Sequence, residues 1–117
     1  MEIAIRAISE CDVTVIEITG SVDSLTSERL IGALNDQLSQ DRVRLVADLS
    51  GVEYTSSAGL RALLITLKDA RRRGGDFRLA SVRPPVMRVL ELSGFTSILS
   101  LFPDVEAAVA SFSLRSA

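Results

Sequence analysis

An apolar run at residues 43–49, Val-Arg-Leu-Val-Ala-Asp-Leu, passes through a turn directly into a helical repeat that begins at about Ala58. The run reads as a strand, broken only by Arg44 and the terminal Asp48, and it suits a central position covered by helices on at least one side. The repeat sets Leu60, Leu63, Leu64 and Leu67 at i, i+3, i+4 and i+7, with Arg61, Lys68, Asp69 and Arg72 on the other face. Gly74-Gly75 stops it. A strand that feeds into a helix in this way leaves the first helical N–H groups without intrahelical acceptors, backed by the positive end of the helix dipole. Ser56 and Ser57 stand at that point. Their hydroxyls suit an N-cap, and they suit equally a phosphate ester that the dipole and free amides would stabilise.

The rest of the chain supports this junction. Ile3, Ile5 and Ala7 alternate with Glu2, Ala4 and Arg6, and residues 13–19 are rich in β-branched types, so two strands are expected as an antiparallel hairpin about the polar break at 9–12. Residues 20–24 form a loop, and from about Thr26 the residues Leu30, Ile31, Leu34 and Leu38 recur at helical spacing, with Glu28, Arg29, Asn35 and Gln37 on other faces. Residues 77–80 are a short fourth strand. Pro84-Pro85 opens a third helix, with Val86, Val89 and Leu90 on its apolar side and Gly94 placed to cap it. Residues 98–102 are either a last short strand or an irregular buried segment. Asp104 then caps a terminal helix that turns Val105, Ala108, Val109 and Phe112 inward, and residues 113–117 are expected to fray. The order ββαβαβα(β)α implies crossover connections. The expected fold is one α/β domain over residues 1–117, with a mixed, mostly parallel sheet of four to five strands, the first strand antiparallel, packed with four helices.

Composition narrows the function. A chain of 117 residues, 47% of them hydrophobic, can bury a core without staples. A net charge of −2 argues against an electrostatic nucleic-acid surface. The one basic run, residues 71–73, falls at a helix C-terminus, where cations offset the dipole. With a single cysteine, Cys11, and no histidine, no disulfide framework or Cys/His metal cluster is available. The alternating N-terminus is unlike a secretory signal, and no run approaches the ~20 apolar residues of a membrane span. A cytoplasmic location without membrane insertion is expected.

Residues 48–60, Asp-Leu-Ser-Gly-Val-Glu-Tyr-Thr-Ser-Ser-Ala-Gly-Leu, resemble the signature of STAS domains, in particular the bacterial anti-sigma factor antagonists. The resemblance extends through Arg73-Gly74-Gly75, residues 89–95 and Glu106-Ala107-Ala108, and so covers nearly the whole chain. It implies that Ser57 is a phosphoryl acceptor, with Ser56 as competitor, because Ser56 replaces the acidic residue that usually precedes the acceptor. It implies a partner-binding face of Asp23, Ser56, Ser57, Gly59 and Arg61, the Gly20-Ser21-Val22-Asp23 run matching a Gly-x-x-Asp of the family. It implies two partners, an anti-sigma factor that is also a serine kinase and a PPM-type, metal-dependent serine phosphatase. The alternative within the same resemblance is an accessory subunit of a membrane lipid or anion transport system.

Taken as residues alone, Asp23 and Asp48 also suit bonds to turn amides; by its place in the resembling motif, Tyr54 is expected to be a packed aromatic that sets the turn rather than a contact residue. Cys11 carries no signal beyond a tolerated surface residue. An enzyme has little to work with here. Ser57 lacks a histidine base, Lys68 lies about three turns down the helix, and neither a nucleophile elbow nor a phosphate-cradling glycine loop is present. No catalytic residue, cofactor or metal is expected, and binding is the expected mode of action.

Overall fold

In the computed structural model, residues 1–8 and 11–114 are described. The order is β1 (Glu2–Ile8), β2 (Val13–Thr19), α1 (Ser27–Ser39), β3 (Arg44–Gly51), α2 (Ser57–Arg72), β4 (Asp76–Ala80), α3 (Pro84–Leu92), a 3-10 turn (Phe95–Ser97), β5 (Leu101–Phe102) and α4 (Val105–Leu114). The sheet runs β1-β2-β3-β4-β5 in space, with β1 antiparallel to β2 and every other pair parallel. This is the mixed α/β arrangement expected from the element order. The ambiguous segment at 98–102 resolves into an irregular stretch and a two-residue strand, because only Leu101 and Phe102 reach β4. Ser9 and Glu10 of the expected hairpin turn, and residues 115–117 of the expected frayed tail, lie outside the described residues; α4 itself is helical to Leu114.

Alternation along the strands divides the interior into two cores. Ile16 and Ile18 of β2, Leu45, Ala47 and Leu49 of β3, and Phe77 and Leu79 of β4 face α1, α2 and α3, which contribute Leu30, Leu34, Leu63, Leu67, Val86 and Leu90. The residues between them, Val13, Val15, Val46 and Ala80, face α4 through Ala108 and Phe112. Of the leucine stripe of α2, Leu60, Leu63 and Leu67 are buried, and Leu64 is half-buried against the same core. Asp104 caps α4, its Oδ1 accepting from the Ala107 amide at 2.8 Å.

Two expectations change. Gln37, assigned to a solvent face of α1, is buried, because Arg42 folds back and donates to its Oε1 at 3.0 Å. Cys11, assigned to the surface, is half-buried against the second core.

A pair of charges lies inside that second core. Asp76 and Arg78 are two apart on β4 and so share its face; both are buried, with Arg78 Nε donating to Asp76 Oδ2 at 3.0 Å. The carboxylate also accepts from the Phe77 amide at 2.9 Å and from Arg71 Nε at 3.1 Å. The guanidinium lies 3.9 Å from the centroid of the Phe112 ring and donates to Ser111 Oγ, so it fastens α4 to the sheet. Removing one member of such a pair costs more than the pair contributes, because the other is left buried. Arg78→Ala should therefore lower the unfolding free energy in urea titration by about 3 kcal/mol, the lower part of the usual range because Arg71 remains on Asp76. A loss below about 1 kcal/mol would show that α4 is held by its apolar contacts alone.

Candidate functional site

The site is built where the chain leaves β2 and β3. Gly20 N donates to Gly51 O at 2.9 Å, Val22 N to Tyr54 O at 3.0 Å, and Ser56 N to Val22 O at 2.8 Å. Val22 and Thr55 thereby form a parallel bridge that continues the β2–β3 pairing past the end of the strands. The register between the two strands shifts between Glu17 and Thr19, which leaves one extra residue on β3 and turns its exit toward α2. Val22, Val52 and Thr55 are buried beneath the junction. Gly59 explains why a helix can begin so close above them. A Cβ there would strike Thr55 Oγ1 and come within 2.9 Å of Val22 Cγ1, so the first turn of α2 rests on the bridge only because that residue has no side chain.

The two serines have different situations. Ser56 is the N-cap of α2, in extended backbone, and its Oγ accepts from the Gly59 amide at 3.2 Å. Ser57 is the first helical residue, exposed, and its hydroxyl has no hydrogen-bond partner among the described residues. By helix geometry the amides of Ser57 and Ala58 have no intrahelical acceptor, and they lie beside that hydroxyl. Arg61, one turn on, is exposed and forms no ion pair among the described residues.

Asp23 lies one residue beyond Val22, so the zipped loops bring it next to the Ser56–Ser57 step. Its Oδ1 accepts from the Leu25 amide at 3.0 Å, the Thr26 amide at 2.8 Å and Thr26 Oγ1 at 3.0 Å, while Thr26 Oγ1 accepts from the Asp23 amide at 2.8 Å. This reciprocal arrangement caps the turn that enters α1. The Thr26 amide first, and then the Thr26 hydroxyl, hold the Asp23 carboxyl below its ordinary value of 3.8. Asp48 accepts from the Ser50 amide at 3.0 Å, the turn-forming role its position suggests.

The residues expected to meet a partner therefore differ in access. Ser57 and Arg61 are exposed, Ser56 and Asp23 are half-buried, and Gly59 is buried, so Gly59 shapes the surface from below. Tyr54, expected to pack, is 54% exposed: its carbonyl is fixed by Val22 while its ring turns outward. Leu25, which no sequence pattern singles out, is 83% exposed because the Asp23–Thr26 cap holds its turn away from the core. Its only signal is an apolar residue inside a capping turn too tight to bury it. Glu53 completes the rim, and Arg83 binds it at 3.3 Å while donating to Ser50 O at 3.2 Å. Near the two loop exits the surface thus carries the exposed Leu25 and Tyr54, together with a Ser57 hydroxyl and an Arg61 cation that have no partner among the described residues. Among the described residues no His, Cys, Asp and Glu cluster could hold a metal, and no helix is long and apolar enough to cross a membrane.

Comparison with known proteins places the chain and its fold. The STAS domain family model matches residues 3–108. BtrV of Bordetella bronchiseptica, provisionally named an anti-sigma factor antagonist, is 40% identical over 93 residues, 80% of each chain. A Thermotoga maritima structure, provisionally described as an anti-sigma factor antagonist, superposes with a TM-score of 0.88 at 22% identity, covering 94% of this chain and 93% of that one. The anti-sigma factor antagonist SpoIIAA in its unphosphorylated form gives 0.82 at 16% identity, over 99% and 98% of the two chains. The Bacillus cell fate determinant SpoIIAA in its phosphorylated form gives 0.73 at 15%, over 94% and 98%. The three structures share the fold.

The division between the serines has a direct test in stability. Ser56→Ala should lose about 1 kcal/mol of unfolding free energy, the usual worth of an N-cap, and Ser57→Ala should lose less than about 0.5 kcal/mol. Equal losses in urea titration would show that the two hydroxyls share the cap. The depressed Asp23 carboxyl makes a second prediction. Its stabilisation is complete above 3.8 and is lost as pH falls through its lower folded value. Asp23→Asn, which retains an acceptor oxygen, should remove this part of the acid sensitivity in a pH series of thermal melts; an unchanged acid profile would show that the carboxylate gains nothing on folding.

Proposed function

The chain belongs to the STAS domain family, and on that premise we propose that it is an anti-sigma factor antagonist that works in the cytoplasm by binding rather than by catalysis. Unphosphorylated, it binds an anti-sigma factor that is also a serine kinase, and the sigma factor is freed. The kinase then moves the γ-phosphoryl of ATP to Ser57: the Oγ–P bond forms, the bond from phosphorus to the β-phosphate bridging oxygen breaks, ADP leaves, and the hydroxyl proton passes to a base on the kinase. A PPM-type serine phosphatase hydrolyses the ester and restores binding.

The observation that carries this reading is the exposed Ser57 hydroxyl, without a hydrogen-bond partner among the described residues, beside a serine whose own oxygen is committed to the Gly59 amide. A phosphate there brings about −1.5 to −2 charges. The free helix amides and Arg61 favour it within the domain, whereas a partner packed over Leu25 and Tyr54 would have to admit a dianion into a partly apolar contact. The same modification can thus leave the fold intact and break the complex.

Calorimetric titration against a cognate anti-sigma factor kinase tests this directly. Ser57→Ala should bind like the wild type, and Ser57→Asp should bind about 5 to 150-fold more weakly, the span of about 1–3 kcal/mol for a typical coupling free energy. Equal affinities for all three would assign Ser57 to the helix alone. Asp23→Asn should bind more weakly with a modest fall in its thermal midpoint at neutral pH, because the charged carboxylate's contribution is absent there, whereas Asp23→Ala, which also loses the acceptor oxygen, should lose binding with a larger fall in midpoint. Undiminished binding by folded Asp23→Ala would confine Asp23 to capping α1.

A further inference from the structure

A sheet edge offers a row of unpaired backbone donors and acceptors, and proteins blunt such edges with short strands, bulges, prolines or lysines. The two edges of this sheet are treated differently. β5 is only two residues long. β1 has seven residues, pairs with β2 in unbroken register from Glu2↔Thr19 to Ile8↔Val13, contains neither proline nor lysine, and has no strand on its outer side among the described residues. Residues 4–7 are all exposed, and Ile5 is 43% exposed although its neighbour Ile16 is fully covered by the first core.

We propose that β1 is the surface through which two copies of this chain associate, the two strands pairing antiparallel about a two-fold axis at Ala4. The side chains select both the occupant and the register. With Ala4 opposite Ala4, Glu2 of each copy lies opposite Arg6 of the other, and Ile3 lies opposite Ile5. The charge pairs occur twice by symmetry on one face, and the isoleucine pairs occur twice on the face that carries the first core. Every opposed pair joins residues of like parity, so the outward-pointing amides and carbonyls of one strand meet those of the other. Moving the axis to Ile5 would leave Arg6 opposite Ala4 and Glu2 opposite Ile8, with no charge opposed. Within one copy Arg6 approaches Glu17 at 3.9 Å with both side chains well exposed, a contact loose enough for the guanidinium to take a second carboxylate. Open strand ends and two small residues at the axis make a small interface, so the dimer is weak, with a dissociation constant on the order of 100 µM.

Sedimentation equilibrium from about 10 µM to about 1 mM reads the association, with thermal melts of each variant to confirm folding. The wild type should pass from monomer to dimer. Glu2→Arg and Arg6→Glu, which oppose like charges twice, should each weaken dimerisation about tenfold or more. The double exchange Glu2→Arg/Arg6→Glu should restore it, and an equimolar mixture of the two single variants should form a heterodimer more readily than either associates alone. A wild type that stays monomeric to about 1 mM overturns the proposal. So does a dimer indifferent to the exchanges, which would mean that another surface joins the copies, or a double variant no better than the singles.

Discussion

The short parallel bridge between Val22 and Thr55 is the contact on which the site depends. It joins two loops that leave neighbouring strands, and each of its hydrogen bonds is made by backbone, so it places the entrances of α1 and α2 relative to each other whatever side chains the surface carries. Gly59 then lets α2 start directly on top of it. Backbone positioning of this kind frees the side chains. Leu25, Tyr54, Ser57 and Arg61 have no part in the core and are available for contact, while Val22, Val52 and Thr55 hold the platform from below.

The opposite sheet face is secured by other means. α4 covers it through few apolar side chains, and the Asp76–Arg78 pair supplies direction by engaging Ser111 and the Phe112 ring. Such buried polar contacts add less stability than their number suggests, but they define where the helix sits. The functional end of the domain and the α4 face are thus built on different interactions. The switch proposed at Ser57 would therefore act on the first without loosening the second.

The periodicity of the chain was enough to read the strand order, the leucine stripe of α2 and the cap at Asp104, because each follows from local spacing and from which residues can start or stop a helix. The site was legible to the extent that it lies on one such boundary. Ser56 and Ser57 were both recognisable as helix-start hydroxyls, but adjacency in sequence cannot tell which one turns back to an amide; that depends on the extended backbone at Ser56. Tyr54 and Leu25 were misjudged or missed for a related reason. Their exposure is set by loops pinned through Val22 and by the Asp23 cap, contacts between segments far apart in sequence. Gln37 and Arg78 show the same limit inside the core, where a polar residue is buried because a distant or neighbouring partner satisfies it.

The central claim is that one hydroxyl is occupied by the fold and its neighbour is left for chemistry. Peptide mapping by mass spectrometry after incubation with a cognate anti-sigma factor kinase and ATP tests it most directly. A single phosphoryl group on Ser57, with Ser56 and Thr55 unmodified, is the expected result. Phosphate on Ser56, whose oxygen would have to abandon the Gly59 amide, or undiminished modification of Ser57→Ala would contradict the account.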